Sequence, residues 1–483
     1  MKTFNLDSMV SSLKQFTKIV EKSVPVKDVI KQIEFNKINN KKLPPLKIGS
    51  HLATLPIVQG GMGVGISLSS LASAVANEGG VGVIAANGIG LLDSKYYQDG
   101  DNASVRAFRK EIRVAREKTK GVIGVNIMVA INNFKKMVDV AIEEAVDIIF
   151  MGAGLPIKNI PVKRMREKNI AIVPIVSSAR ATNLIFKMWS KIYNDIPDAV
   201  VLEGPLAGGH LGFERDQVDK KAYQLKHLVK SINETLSFYK KEYNRDIPLI
   251  AGGGVYSGKD IYEIINSGAS GVQMATRFVA TKECDADERF KLAYVNCKKE
   301  DIGFIKSPVG MLGRAIRNDF IKKSEDGVKH NFSCSWRCLS TCKANDANYC
   351  ISIALNNARK GEIDKGFVFA GANAYKIKEI VSVHSLVTSL KAEYIKVQNM
   401  EFLKKANSMI EGVKKLYKKY ESKLKIEESC KKAYENALVS YNDEIISTLR
   451  KQYKKAKNST LNVQFLLEEK LLKTWKVIML KKV

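Results

Sequence analysis

Eight short apolar runs, rich in β-branched residues, recur through the first part of the chain, each followed by a helical pattern. This alternation leaves few folds open. The runs are Leu55–Val58, Val81–Ala85, Val122–Ile127, Val146–Phe150, Ile170–Val176, Ala199–Leu202, Pro248–Ala251 and Gly271–Met274. Helical spacing fills the gaps at Leu68–Glu78, Val105–Lys118, Phe134–Glu144, Val162–Lys168, Ala179–Tyr193, Lys221–Tyr243, Lys259–Ser267 and Asp287–Cys297. Uninterrupted apolar strands that alternate with helices predict parallel strands buried on both faces. Eight such units over roughly 250 residues match the size of an α/β (β/α)₈ TIM barrel. A doubly wound open sheet is the competing fold, and it wants a glycine fingerprint at the first strand-to-helix turn. Gly80-Val81-Gly82-Val83-Ile84-Ala85 has that spacing but lies within a strand, so it reads as sheet packing.

Glycines cluster after the strands, where barrel enzymes build their sites. Gly60-Gly61-Met62-Gly63 follows the first strand, and Asn126-Ile127-Met128 ends the third. Gly152-Ala153-Gly154 follows the fourth and Gly208-Gly209-His210 the sixth. Gly252-Gly253-Gly254 follows the seventh, and Ala275-Thr276-Arg277 the eighth. Barrel phosphate sites use the loops after strands seven and eight, where unobstructed N–H groups and a helix N-terminus face the anion. Thr276 adds a hydroxyl, and Ser257, Gly258 or Asp260 opens the helix behind. Together these loops predict a flat, phosphate-bearing cofactor. His210 stands in Glu203-Gly204-Pro205-Leu206-Ala207-Gly208-Gly209-His210, behind small residues that let a ligand approach the backbone. It is one of five histidines, and its imidazole can gain or lose a proton near neutral pH. The plainer alternative is a loop histidine with turning glycines.

Gln59-Gly60-Gly61-Met62-Gly63, Gly124-Val125-Asn126-Ile127-Met128, Ala207-Gly208-Gly209-His210, Ala251-Gly252-Gly253-Gly254 and Gln273-Met274-Ala275-Thr276-Arg277-Phe278 resemble the motifs of the nitronate monooxygenase family, formerly the 2-nitropropane dioxygenases. The resemblance spans roughly Leu43 to Leu390. It implies a barrel that holds FMN non-covalently. Gly61, Met62, Gly63, Asn126, Met128 and Gly208 match the family's flavin-contacting positions. Gly252, Gly253, Gly254, Ala275 and Thr276 match its phosphate cradle, and His210 matches its catalytic histidine. The implied reaction oxidises alkyl nitronates with O₂ to carbonyl compounds and nitrite, with His210 as acid or base.

Flavin-dependent enoyl-ACP reductases carry nearly the same motifs. Many nitronate monooxygenases place a lysine near the end of strand five. Here that stretch is Ile172-Val173-Pro174-Ile175-Val176-Ser177, apolar as in the reductases, and Gly152-Ala153-Gly154-Leu155-Pro156 leans the same way. Cys334 to Tyr375, including Phe369-Ala370-Gly371-Ala372-Asn373-Ala374-Tyr375, resembles longer bacterial proteins grouped with the monooxygenases. An NADH-dependent enoyl reductase is therefore the second expectation. A non-catalytic flavin-binding scaffold is the third, against which the intact Gly208, Gly209 and His210 stand.

The 483 residues divide into a helical extension (1–42), the barrel (43–320), a cysteine-containing closing segment (321–390) and a basic helical extension (391–483). No apolar run is long enough to span a bilayer, and the first residues lack a signal peptide's apolar core. The expectation is a cytoplasmic protein acting on a small molecule. Seven cysteines fit reduced thiols better than a disulfide framework. On a helix, Cys334, Cys338 and Cys342 would share one face, with Cys350 beyond. Thiolates so placed could bind zinc or an iron–sulfur cluster. The spacing is not a standard pair, so inward-packed free thiols and no metal are expected.

The net charge of +28 raises nucleic-acid binding. The charge is spread, however, and no zinc-finger or RNP-like motif accompanies it, so no nucleic-acid partner is expected. Beyond Leu390, Ala406, Met409, Val413, Leu416, Tyr420 and Leu424 fall on one helical face. Tyr434, Leu438, Tyr441, Ile445 and Leu449 continue it after an expected break near Lys425–Glu428. Two such helices could pair as a hairpin, pack on the barrel, join a homodimer, or touch an acidic membrane surface.

Overall fold

The computed structural model describes residues 43–334, 338–340, 342, 344–438 and 443–479. The helices expected within Met1–Asn40 lie outside the described residues. The described residues divide into two compact units, one ending at Ile395 and the other beginning at Lys396.

The first unit is built on eight parallel strands. In chain order they are β3 (Ile57–Gln59), β4 (Gly82–Ala85), β5 (Ile123–Met128), β6 (Ile148–Gly152), β7 (Ala171–Val176), β8 (Val200–Glu203), β10 (Leu249–Gly252) and β11 (Gly271–Met274). They lie side by side in the order β3-β11-β10-β8-β7-β6-β5-β4. A parallel bridge between Val58 and Val81 joins the two ends, so the sheet closes into the (β/α)₈ barrel. Each strand coincides within two residues with one of the apolar runs, because a strand covered on both faces must be apolar throughout.

Inward-facing side chains fill the barrel. Val58, Val83, Ile148, Phe150, Val173, Val201 and Ile250 form one buried cluster. Large and small residues alternate there: a Cβ on Gly124 would lie 2.7 Å from the Phe150 ring. The outward-facing residues, such as Ile84, Val125, Ile149 and Leu202, pack beneath helices that bring Leu71, Phe108, Phe186 and Trp189. Gly82 belongs to this packing. A Cβ there would fall 1.9 Å from the carbonyl oxygen of Ala72 on the helix Ser69–Asn77. The Gly80–Ala85 run is thus a helix–strand contact.

A hairpin of β1 (Leu46–Ile48) and β2 (His51–Ala53) precedes the barrel. Its Leu46, Ile48 and Ala53 join the interior cluster, and the apolar-run pattern did not anticipate it. Three residues per strand are too few to register as a period.

An antiparallel sheet accompanies the barrel. It contains β12 (Ile302–Lys306), β13 (Leu312–Ile316) and β14 (Val368–Phe369), and β13 also pairs with β9 (Gly209–His210). The segment 321–390 is part of this same unit. Its cysteines are not arranged on a helix: the described residues at Cys334, Cys338 and Cys342 are irregular, and Leu339 bridges to Ile131. Pairing with the barrel loop outweighs the local i, i+4 spacing. Cys350 precedes the helix Ile351–Arg359. Among the described residues no three His, Cys, Asp or Glu side chains are gathered to hold a metal ion.

In the second unit, the part of the helix Val383–Leu438 beyond Ile395 lies antiparallel to the helix Asp443–Met479. Thr460 donates to the Lys423 carbonyl at 3.3 Å, and the Tyr434 and Tyr453 rings stack at 6.2 Å. The expected break near Lys425–Glu428 is absent. Those residues are good helix formers without Gly or Pro, so an interrupted apolar stripe did not interrupt the backbone. Val413 and Ala437 are buried, but Leu438 and Ile445 are exposed, contrary to the expected face; Tyr441 lies outside the described residues. No helix among the described residues is long and apolar enough to cross a membrane.

Candidate active site

The strand C-termini converge on a cavity of about 500 Å³. Its wall contains Gly61, Met62, Gly63, Asn126, Met128, Gly208, His210, Ala275 and Thr276, which sequence reasoning had singled out. Gly152, Ala153 and Gly154 line it too. Gly252, Gly253 and Gly254 do not. They pack behind it, where a Cβ on Gly253 would lie 2.6 Å from the Gly204 oxygen and Asn373 Nδ2 donates to the Gly254 carbonyl at 2.7 Å. Ser257 caps the following helix Gly258–Asn266 by a reciprocal bond with Asp260.

Small residues bring backbone to the cavity surface. A Cβ on Gly61 would fall 2.4 Å from Asn126 Cβ, and one on Gly208 would fall 2.5 Å from the Ala370 and Gly371 backbone. At Gly209, with φ +85°, it would meet nothing within 4 Å. The Phe369–Asn373 segment crosses here. Ala372 N–H donates to the Leu206 carbonyl at 3.1 Å, and Gly371 N–H donates to Thr276 Oγ1 at 3.1 Å.

His210 is fixed at both its backbone and its ring. In β9 it pairs with Gly313 of β13. Its Nε2 lies 2.8 Å from Ser307 Oγ, and its ring meets Phe369 edge-on at 5.1 Å. Burial pulls its pKa down to about 4, so the ring is neutral at pH 7. Glu203, at the end of β8, lines the same cavity, and burial pushes its carboxyl up to about 7. Two titratable groups thus meet one cavity with their affinities for protons moved in opposite directions, a pattern concentrated at functional sites.

Arg314 of β13 is buried. It donates to the carbonyls of Pro205 and Ala207 at 2.6 and 2.7 Å, and it lies over the Phe304 ring at 4.7 Å. Burial lowers its pKa to about 10, so it stays charged. The clamp holds the loop that leads into Gly208 and His210. Tyr294 also lines the cavity, and its hydroxyl donates to the Phe369 carbonyl.

Glu203 is the site residue that the glycine and family motifs do not mark, although an acid ending a parallel barrel strand is itself a signal. Ser307, Arg314 and Tyr294 carried no local signal, because their roles depend on contacts with distant chain segments.

A profile of the nitronate monooxygenase family matches residues 45–393. A probable nitronate monooxygenase of Staphylococcus aureus (strain MSSA476) is 28% identical over 304 residues, covering 56% of this chain and 77% of that protein. Among solved structures, FabK from Thermotoga maritima is 26% identical with a TM-score of 0.56, covering 74% of this chain and 96% of that one. A nitroalkane oxidase from Streptomyces ansochromogenes shares the fold at 20% identity and a TM-score of 0.56, covering 72% and 97%.

Proposed function

This chain belongs to the nitronate monooxygenase family and is an oxidoreductase; on that premise, we propose that it binds FMN and oxidises alkyl nitronates with O₂ to carbonyl compounds and nitrite. The observation that carries the reading is the neutral, anchored His210 on the wall of a glycine-lined cavity at the barrel's C-terminal end.

The residues suit a flat, phosphate-bearing ring. Gly61, Gly63 and Gly208 offer backbone without side chains. Asn126 and Met128 stand at the end of β5, and Ala275 and Thr276 present N–H groups and a hydroxyl for a phosphate. Gly252, Gly253 and Gly254 support that end from behind. Bound FMN would supply the redox chemistry, accepting electrons from the substrate and passing them to oxygen. His210 meets the substrate, either accepting a proton or donating to its oxygens. Glu203 keeps its proton up to about pH 7 and so adds little negative charge to a cavity that receives an anion. Phe369, Ala370, Gly371 and Tyr294 complete the cavity wall.

One observation favours a second reading, NADH-dependent reduction of an enoyl thioester. The end of β7 brings Ile175, Val176 and Ser177 to the cavity and no lysine. Two assays separate the readings: nitrite release from a nitronate in air, and NADH oxidation with an enoyl thioester under anaerobic conditions. The first reading expects nitrite release, lowered about 10²–10³-fold in His210→Ala, which removes the imidazole donor, with flavin retained. Turnover in the second assay alone would refute it.

A further inference from the structure

Ser307 is buried on the turn between β12 and β13, at 3% exposure. The turn is closed by Ser307 N–H to the Met311 carbonyl at 3.0 Å and Gly310 N–H to the Ser307 carbonyl at 2.9 Å. Ser307 Oγ accepts the Val309 N–H at 3.3 Å, which leaves its own O–H to be satisfied. His210 Nε2, at 2.8 Å, is the acceptor within reach among the described residues. A buried hydroxyl whose hydrogen finds no acceptor is unfavourable. The arrangement is satisfied when Nε2 carries the lone pair and the imidazole proton sits on Nδ1.

We propose that Ser307 holds His210 as the neutral Nδ1–H tautomer, so that the imidazole meets its substrate as a hydrogen-bond donor and not as a base. The proposal rests on the reading of His210 as the group that contacts substrate, and it selects between the two roles left open above. Nδ1 has no hydrogen-bond partner among the described residues, and His210 lines the cavity. Its N–H is therefore the one free to meet a ligand. The backbone pairing of Gly313 with His210, and Leu211 N–H to the Leu312 carbonyl at 2.8 Å, keep the ring and Ser307 in register.

Donation from a neutral imidazole suits an anionic oxygen, and no proton has to move. A nitronate, which already carries its charge on oxygen, is the fitting substrate class. A neutral nitroalkane has to lose a C–H proton first, and an Nδ1 that already bears hydrogen cannot take it. To act as a base, the ring would have to carry its proton on Nε2, and the Ser307 hydroxyl would have to turn away. Ser307 is thus a positioning residue that acts through His210.

The test uses full-length protein labelled with ¹⁵N-histidine, with His210→Asn identifying the His210 signals. Wild type is expected to show a protonated-type shift at Nδ1 and a lone-pair-type shift at Nε2 at pH 7. Ser307→Ala is expected to move the ring toward the Nε2–H form, and Ser307→Thr, which keeps the hydroxyl, to restore it. With propyl 2-nitronate, Ser307→Ala should lose about tenfold in kcat/KM, while its activity on neutral 2-nitropropane relative to the nitronate rises. An Nε2–H signature in wild type, or an unchanged tautomer and substrate ratio in Ser307→Ala, overturns the proposal while leaving His210 in place. Unimpaired turnover by His210→Ala, which has no donor at that position, overturns the reading of His210 itself, and the proposal with it.

Discussion

Replacing Arg314 with methionine is expected to loosen the glycine loop before it alters any group that touches substrate. The guanidinium holds the Pro205 and Ala207 carbonyls at 2.6 and 2.7 Å. Hydrogen bonds from a charged donor contribute about 1.5–3 kcal/mol each, so two contribute about 3–6 kcal/mol. Against this stands the cost of a buried charge that forms no ion pair among the described residues, a cost the methionine relieves. Methionine also keeps an apolar stem against Phe304. The net loss is about 2–4 kcal/mol, because two buried carbonyls are left without donors. At about 2 °C per kcal/mol for a domain of this size, the melting temperature falls by about 4–8 °C. Arg314→Lys, with one compact ammonium in place of the fork, is expected to fall between. Thermal melts monitored by protein and by flavin fluorescence provide the assay. Flavin is expected to dissociate at a lower temperature in step with the protein, since the clamped loop leads into Gly208. An Arg314→Met protein that melts within about 1 °C of wild type and keeps its flavin would refute the clamp.

Ala275→Asp places a carboxylate in the cavity wall where a phosphate is proposed, and it is expected to abolish FMN retention with little change in the fold, measured by absorbance after gel filtration. It is a cleaner probe than Gly253→Asp, whose Cβ would strike the Gly204 backbone. In flavin-free protein, His210 and Glu203 are expected to give opposite pH dependences of stability. The His210 pKa is lowered from 6.5 to about 4, so the unfolded chain binds a proton that the fold refuses, and stability falls as pH drops through that window. The Glu203 pKa is raised from 4.5 to about 7, so the unfolded chain releases a proton that the fold keeps, and stability falls as pH rises through it. The two windows overlap, so the opposed slopes largely offset in wild type. Melting temperature is expected to fall as pH rises from 4.5 to about 7 in His210→Asn and to fall as pH drops from 6.5 to about 4 in Glu203→Gln, and a pH profile unchanged in both variants would show that burial does not govern either group. A chain ending at Ile395 is expected to retain flavin and turnover, whereas one ending at Lys391 is expected to be less stable. The shorter chain loses buried Tyr394 and also Glu393, which accepts the Gly258 N–H at 2.7 Å.

The barrel was legible because its signal is local and repeated. A strand buried on both faces must be apolar along its whole length, and the helix that follows must carry a stripe at helical spacing. Eight repetitions of that pair specify the topology, and glycines at the strand ends mark the face that binds ligand. Where the local signal is thin, the sequence misleads. Three-residue strands such as Leu46–Ile48 are too short to show a period. The Lys425–Glu428 interruption of an apolar stripe imitates a break in a helix that runs through it. The cysteines at 334, 338 and 342 have helical spacing in a segment that pairs with a barrel loop instead.

By itself, then, the sequence determined the fold class, the ligand-facing end of the barrel, the family motifs and His210 as the residue to watch. Only the tertiary structure decided what surrounds that histidine. Ser307 lies 97 residues from His210, and Arg314 lies 109 residues from the Pro205 carbonyl that it holds. No periodicity encodes such pairs, since each residue is an ordinary serine or arginine until the chain closes. The proton affinities of His210 and Glu203 likewise come from desolvation by neighbours far away in the chain. Hydrophobic periodicity is a property of consecutive residues, whereas burial, hydrogen-bond pairing and the tautomer of an imidazole are properties of the space that folding encloses.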